Sequence, residues 1–470
     1  MADFRIEKDS MGAIKVPQDA WYGSQTQRAI ENFDYSPNPM PTSFIRSLIE
    51  IKRAATLANK SLSEIDSSKA VAIKDACDFL LNRNLSNEKL MANFPVSIYQ
   101  TGSGTSSNMN ANEVIAHLAE QQLSKQQGDA VNIHPNDDVN YGQSSNDVIP
   151  SCVQLSLASY CVDYFLPAID QAIAKLNNLA EQYRDIIKTG RTHLMDAMPI
   201  SLGEEVATWA FQLSESRERV IGSLGRLTQI PLGGTAVGTG INRHPQFPEK
   251  VCELLSERLS LPIKPCKNFS SRMSAQSPTL EMHGQLKVLA TDVIKIANDL
   301  RWMNSGPNQG LGELQLKALQ PGSSIMPSKV NPVIPESIAM MCAQVLGNDV
   351  TLSVANQSGN FQLNVMLPLI AAKSLESAEL ITSSLIALAE KGLSDISVNE
   401  AKLKSSVSKN PILITALNKK IGYEKAAKIA KQALAEGRNI IDIAVEQTDL
   451  SEQELSELLD PKKLAFPFDD

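Results

Sequence analysis

The sequence predicts an all-α protein built around a bundle of long helices. Two observations carry this: apolar residues recur every three and four positions over long stretches, and no convincing strand alternation separates those stretches. From Leu280 onward Leu286, Leu289, Val293, Ile296 and Leu300 make one continuous stripe, on a helix expected to run to about Trp302. Similar patterns cover about Asp147–Ile187, Ser201–Leu227, Pro335–Val354 and Leu363–Lys391. In the first of these, Pro150 marks a start and Pro167 a kink. Helices of roughly 25 to 40 residues are longer than a lone domain needs, so the stripes are expected to bury partly against other copies of the chain.

The bundle region spans 143–400. Before it, residues 1–142 hold shorter helices and polar, Gly-rich connectors. After it, residues 401–470 read as a small helical domain with amphipathic helices at Tyr423–Ala435, Ile440–Glu446 and Ser451–Leu459. A chain of 470 residues, 43% hydrophobic and 20% charged, suits a globular protein with a large core. Its net charge of -8 works against nucleic acid and acidic membrane surfaces. With no unbroken apolar run of membrane length and no secretory leader, the expected location is the cytoplasm. The six cysteines form no CxxC pair and the five histidines are scattered, so the thiols are expected reduced and buried, with no metal and no cofactor.

Four segments carry chemistry. Thr101-Gly-Ser103-Gly-Thr105 offers glycines and hydroxyls at a helix start, which suits an anion, although taken alone it favours an ordinary cap. His134-Pro-Asn136-Asp137-Asp-Val-Asn140 and Ser144-Ser145-Asn146-Asp147 stand before the long helix, whose positive dipole end suits a carboxylate. A cap supplied by Asn146 or Asp147 explains the second cluster equally. Thr192-His193 lies between the end of one helix and the start of another, where a histidine can serve as acid or base, though a lone histidine is more often structural.

The fourth segment is Gly322-Ser323-Ser324-Ile-Met-Pro-Ser328-Lys329-Val-Asn331-Pro332, followed by Glu336. A lysine and an amide suit a dicarboxylate and the doubly charged carboxylate formed when the neighbouring carbon loses a proton. Glu336, at the head of the following helix, offers His193 a hydrogen-bond partner that would set its tautomer or charge. Ile325, Met326 and Val330 give the loop apolar side chains to bury. The run Gly233–Gly240 lacks the spacing and the preceding strand of a nucleotide fingerprint.

The loop from Gly322 to Pro332 resembles the GSSxMPxKxNP signature of the fumarase/aspartase superfamily, and the likeness extends from Glu7–Gly12 through Gly359–Asn364 to Ile421–Ala427. Ser103, Ser145, the His134–Asn140 turn and Gly233–Gly240 are similar to the class II fumarase branch. The resemblance implies three helical domains whose central five-helix bundles assemble into a twenty-helix tetramer core, with active sites shared between subunits. It implies reversible hydration of fumarate to (S)-malate, a tricarboxylic acid cycle step, through an aci-carboxylate intermediate. Ser323 would be the base, with Lys329, His193 and Glu336 assisting. Ser103, Thr105, Ser144, Ser145, Asn146, Thr192, Ser324 and Asn331 would bind substrate, and His134, Asn136 and Asp137 would form a secondary dicarboxylate site. Val131 and the stretch Lys267–Ser274 depart from the branch. The neighbouring readings are an aspartate ammonia-lyase, which shares the base, and a non-catalytic scaffold like the lens crystallins of the superfamily.

Overall fold

The computed structural model describes residues 3–36, 38–127 and 131–468. Helices dominate it, and the strands form only two-stranded sheets. Five helices of the middle region are numbered here in chain order: α1 (Ser145–Gln182), α2 (Leu202–Leu227), α3 (Ser277–Met303), α4 (Val333–Gln357) and α5 (Leu367–Ala387). The stripe expected on α3 is fully buried at Leu286, Leu289, Val293, Ile296 and Leu300, and the helix runs one residue past Trp302. Within α1 one wide turn at Cys161–Phe165 precedes Pro167, which accommodates the missing proline N–H without ending the helix.

The chain forms two compact units. The first comprises Met1–Pro167, Ser216–Ala290 and Ala343–Thr382, and the second Ala168–Glu215, Thr291–Cys342 and Ser383–Asp470. In the first unit the helix Thr42–Ser61 packs against Ser67–Leu81, Phe247–Leu259 and the start of α1, burying Phe44, Ile45, Leu48, Ile49 and Ile51. In the second unit, Leu413, Ile414, Leu417, Ile429, Ile440, Ile443 and Leu455 make a separate apolar cluster near the C-terminus. Its helices, Tyr423–Glu436, Ile440–Gln447 and Glu452–Leu458, fall within two residues of their expected ends.

The expected helix junction fails in this second unit. The segment around His193 is no helix junction; Ile187–Thr192 and Met195–Ser201 pair as an antiparallel hairpin. The pairing of Thr192 with Met195 leaves His193 and Leu194 as a two-residue turn with φ of 57° and 60°. Such turns usually announce themselves by Asn-Gly or Asp-Gly, and His-Leu carries no such signal.

By length and mean hydropathy, α1 and α4 are each long and apolar enough to cross a membrane. In α4, Ile338, Cys342, Val345, Leu352 and Ala355 are buried, while Met340 and Val350 on other faces are 68% and 67% exposed. A helix apolar all round is built to be buried on every side.

Candidate active site

The first unit supplies two hydroxyl-bearing turns. At the start of the helix Thr105–Gln127, the hydroxyl of Ser103 lies 2.8 Å from that of Thr105 and 3.2 Å from that of Thr101. A side chain on Gly102 would sit 1.7 Å from the Val365 carbonyl oxygen, and Gly104 has φ +73°, so the approach requires both glycines. At the start of α1, Ser144 is the cap, not Asn146 or Asp147. Its Oγ accepts from Asn146 N–H, and Asp147 Oδ1 accepts from Ser144 N–H in return. Ser145 Oγ accepts from Asn108 Nδ2 at 3.0 Å.

The Gly233–Gly240 run serves this turn. Asp147 Oδ2 accepts from the N–H groups of Gly233 and Thr235 at 2.9 and 2.8 Å, and Asn146 Nδ2 donates to the Ala236 carbonyl at 2.9 Å. The atypical stretch lies alongside: Ser270 donates to the Val237 carbonyl at 2.6 Å, and a Cβ on Gly238 would collide with the Ser270 hydroxyl. His134 caps the turn Pro135–Val139 through Nδ1, which accepts from Asp137 N–H at 3.1 Å; His134, Asn136 and Asp137 are all exposed.

The second unit carries the loop. Ser323 Oγ accepts two backbone N–H bonds, from Ile325 at 3.2 Å and Met326 at 3.0 Å. The loop is closed by Gly322 N–H to the Lys329 carbonyl at 2.7 Å and by Asn331 Nδ2 to the Gly322 carbonyl at 2.8 Å. A Cβ on Gly322 would stand 2.5 Å from that Lys329 oxygen. Lys329 is exposed and has no ion pair among the described residues. Lys329, Asn331 and Glu336 line a cleft of about 1120 Å³ with Arg301, Trp302 and Asn304. Contrary to expectation, Ile325, Met326 and Val330 are not buried within the chain; they are 83%, 50% and 45% exposed. Ser324 is exposed as well.

Thr192 and His193 stand exposed on the hairpin tip. At its base the buried Lys188 donates to Glu205 and Glu313 at 2.5 and 2.6 Å, and Arg191 donates to the other oxygen of Glu313. Burial works to raise the Glu313 pKa, but Arg191 and Lys188 outweigh it and hold the carboxyl below its ordinary range. His193 and Glu336 form no hydrogen bond or ion pair with each other among the described residues. The residues missed by sequence reasoning are Glu313 and the fully buried Lys52, whose Nζ bonds Asn140 and Gln143 behind the Ser144 turn. The one signal for Lys52 was a lysine on the apolar face that Leu48 and Ala55 define. No three His, Cys, Asp or Glu side chains gather to hold a metal among the described residues, and all six cysteines are buried and free.

Residues 12–347 match the family described as Lyase, and residues 413–465 match the one described as the fumarase C C-terminus. Fumarate hydratase class II 2 of Pseudomonas aeruginosa is 51% identical over 464 residues, covering 99% of each chain. The crystal structure of class II fumarase from Schistosoma mansoni superposes with a TM-score of 0.94 at 35% identity, covering 99% of this chain and 100% of that one. A fumarate lyase:delta crystallin from Brucella melitensis, bound to cobalt, matches with a TM-score of 0.91 at 40% identity, again covering 99% and 100%. Full-length likeness in sequence and in backbone, together with the Gly322–Pro332 loop, places the chain in the class II fumarate hydratase family of the fumarase/aspartase superfamily.

Proposed function

We propose that this chain is a fumarate hydratase that adds water reversibly and in trans to fumarate, giving (S)-malate. The observation that carries the reading is the Ser323 hydroxyl held by two backbone N–H groups in the loop that also presents Lys329 and Asn331. A serine hydroxyl is too weak a base on its own, and N–H donors with a nearby ammonium are what stabilise its alkoxide. In the malate direction Ser323 takes the C3 proton, and the electron pair passes into the adjacent carboxylate, giving the aci-carboxylate that Lys329 and Asn331 hold. That pair then returns to form the C2–C3 double bond as the C2–O bond breaks. His193, paired with Glu336, protonates the departing hydroxyl through a water, so water leaves. Ser103, Thr105, Ser144, Ser145, Asn146, Thr192 and Ser324 position the substrate.

Pairing His193 with Glu336 calls for a second copy, and so do the exposed Met340 and Val350 faces of α4 and the exposed loop residues Ile325 and Met326. A homotetramer whose four five-helix bundles form one core and whose sites draw on several subunits accounts for all of them. Residues 1–142, 143–400 and 401–470 would be the three domains of each subunit, the last supported by its own family match and apolar cluster. The exposed turn at His134, Asn136 and Asp137 would be a secondary dicarboxylate site. The enzyme would work in the cytoplasm, and its net charge of -8 supports a protein that engages neither nucleic acid nor acidic membrane surfaces.

Purified protein incubated with fumarate and followed by NMR should form malate without ammonium. Aspartate formed only with ammonium would make it an ammonia-lyase, and no turnover would favour a scaffold. Ser323→Ala should lower turnover by about 10³-fold or more while dicarboxylate binding persists; near-normal turnover would remove Ser323 from the role.

A further inference from the structure

Behind the Ser144–Asn146 turn lies a cation that no step above uses. Lys52 is 0% exposed on the helix Thr42–Ser61. Its Nζ donates to Asn140 Oδ1 at 2.7 Å and to Gln143 Oε1 at 3.0 Å. Neither acceptor is charged. The charged group facing it is Asp147, whose oxygens already accept from the N–H groups of Ser144, Gly233 and Thr235. The other titratable groups near it are Cys77 and Cys152, thiols that burial keeps neutral. An ammonium bound to amide dipoles is not cancelled at contact, so its field extends to the groups it supports.

Those groups lead outward to the turn. Asn140 Oδ1 also accepts from Asn108 Nδ2 at 3.2 Å, and Asn108 Nδ2 donates to Ser145 Oγ at 3.0 Å. Asn140 Nδ2 donates to the Gln143 carbonyl and Gln143 Nε2 to the Val139 carbonyl, tying down the chain that leads into Ser144. We propose that Lys52 is a positioning residue for dicarboxylate binding: a buried cation that orients Ser145 through Asn140 and Asn108 and supplies positive potential behind the turn. The inference rests on reading Ser144–Asn146 as a carboxylate clamp.

A protonation linkage follows. Burial pushes the Lys52 ammonium down to about 7, against the pull of Asp147. A dianion arriving at the turn favours the charged form, so binding takes up protons and affinity falls as pH rises through that value.

Succinate, which cannot undergo the hydration, tests this by calorimetry on the full-length protein at pH 7.5 in buffers of different ionisation enthalpy. Wild type should take up several tenths of a proton per site more than Lys52→Gln, and Lys52→Gln should bind succinate about tenfold more weakly at pH 6.5. Lys52→Arg, whose charge is fixed, should keep affinity within a few-fold while losing the proton uptake. Equal proton uptake and equal affinity in wild type and Lys52→Gln would overturn the proposal. Should the Lys52 variants fail to fold, Asn108→Ala cuts the relay with the lysine in place. A KM for fumarate raised about tenfold with kcat changed less would support the role, and an unchanged KM and succinate affinity would overturn it. If wild type makes no malate yet shows the uptake, the hydratase reading fails alone; malate formation with an unaffected Lys52→Gln sinks only this inference.

Discussion

Lys52, behind the Ser144–Asn146 turn, meets two amide oxygens, whereas Lys188, at the base of the His193 hairpin, sits between two carboxylates. Both lysines are shut off from solvent. At the hairpin the charges close on themselves, Lys188 and Arg191 against Glu205 and Glu313, so the cluster serves as a clamp with little field to spare. At the turn the ammonium's contact partners are amide dipoles, and the carboxylate facing it, Asp147, is bound to N–H groups rather than to the lysine, so more of its field is left over. Complete pairing fixes geometry; incomplete pairing leaves a charge that a ligand can feel.

Breaking the closed cluster should have the largest effect. Glu313→Gln strands Arg191 and leaves Lys188 one carboxylate, costing about 3–5 kcal/mol, read from urea unfolding. If Lys52→Gln proved as costly, the contrast between clamp and field would collapse.

The pH dependence of stability should separate the two regions by sign. The Glu313 carboxyl is held below its unfolded value, so its contribution is present above about pH 4.3 and is lost as pH falls through the lower folded value. Lys52 is held at about 7, below its unfolded value of about 10.4, so in the folded state its charging costs stability. That cost is complete below pH 7 and fades as pH rises toward 10. Urea midpoints for each variant relative to wild type at pH 3.5, 7 and 9.5 test both signs; a Lys52→Gln difference independent of pH above 7 would contradict this assignment. A smaller change is expected from Ser145→Ala, which removes one acceptor from Asn108 at about 1 kcal/mol in thermal unfolding.

What the sequence made legible follows from periodicity. The α3 stripe and the C-terminal helices were readable because burial on one face repeats with the helix turn. The hairpin at Ile187–Ser201 escaped because its strands carry no clean apolar alternation and its turn lacks glycine. In the site, the glycines and hydroxyls of Thr101–Thr105 and Gly322–Asn331 were visible as local clusters. The convergence of Lys52 with Asn108 and Asn140 was not, since positions 52, 108 and 140 meet only through folding. The exposure of Ile325 and Met326 likewise escaped, because a single chain's sequence does not say which apolar groups its own fold will cover.

The left-handed pair His193 and Leu194 bears on how this chain responds to engineering. Two side-chained residues hold a backbone that asparagine and glycine adopt more cheaply, by about 1 kcal/mol at each position. A screen that ranked variants by melting temperature alone would therefore favour His193→Asn and Leu194→Gly. Under the proposed mechanism, the first of those winners would be a sturdier protein with its proton donor gone.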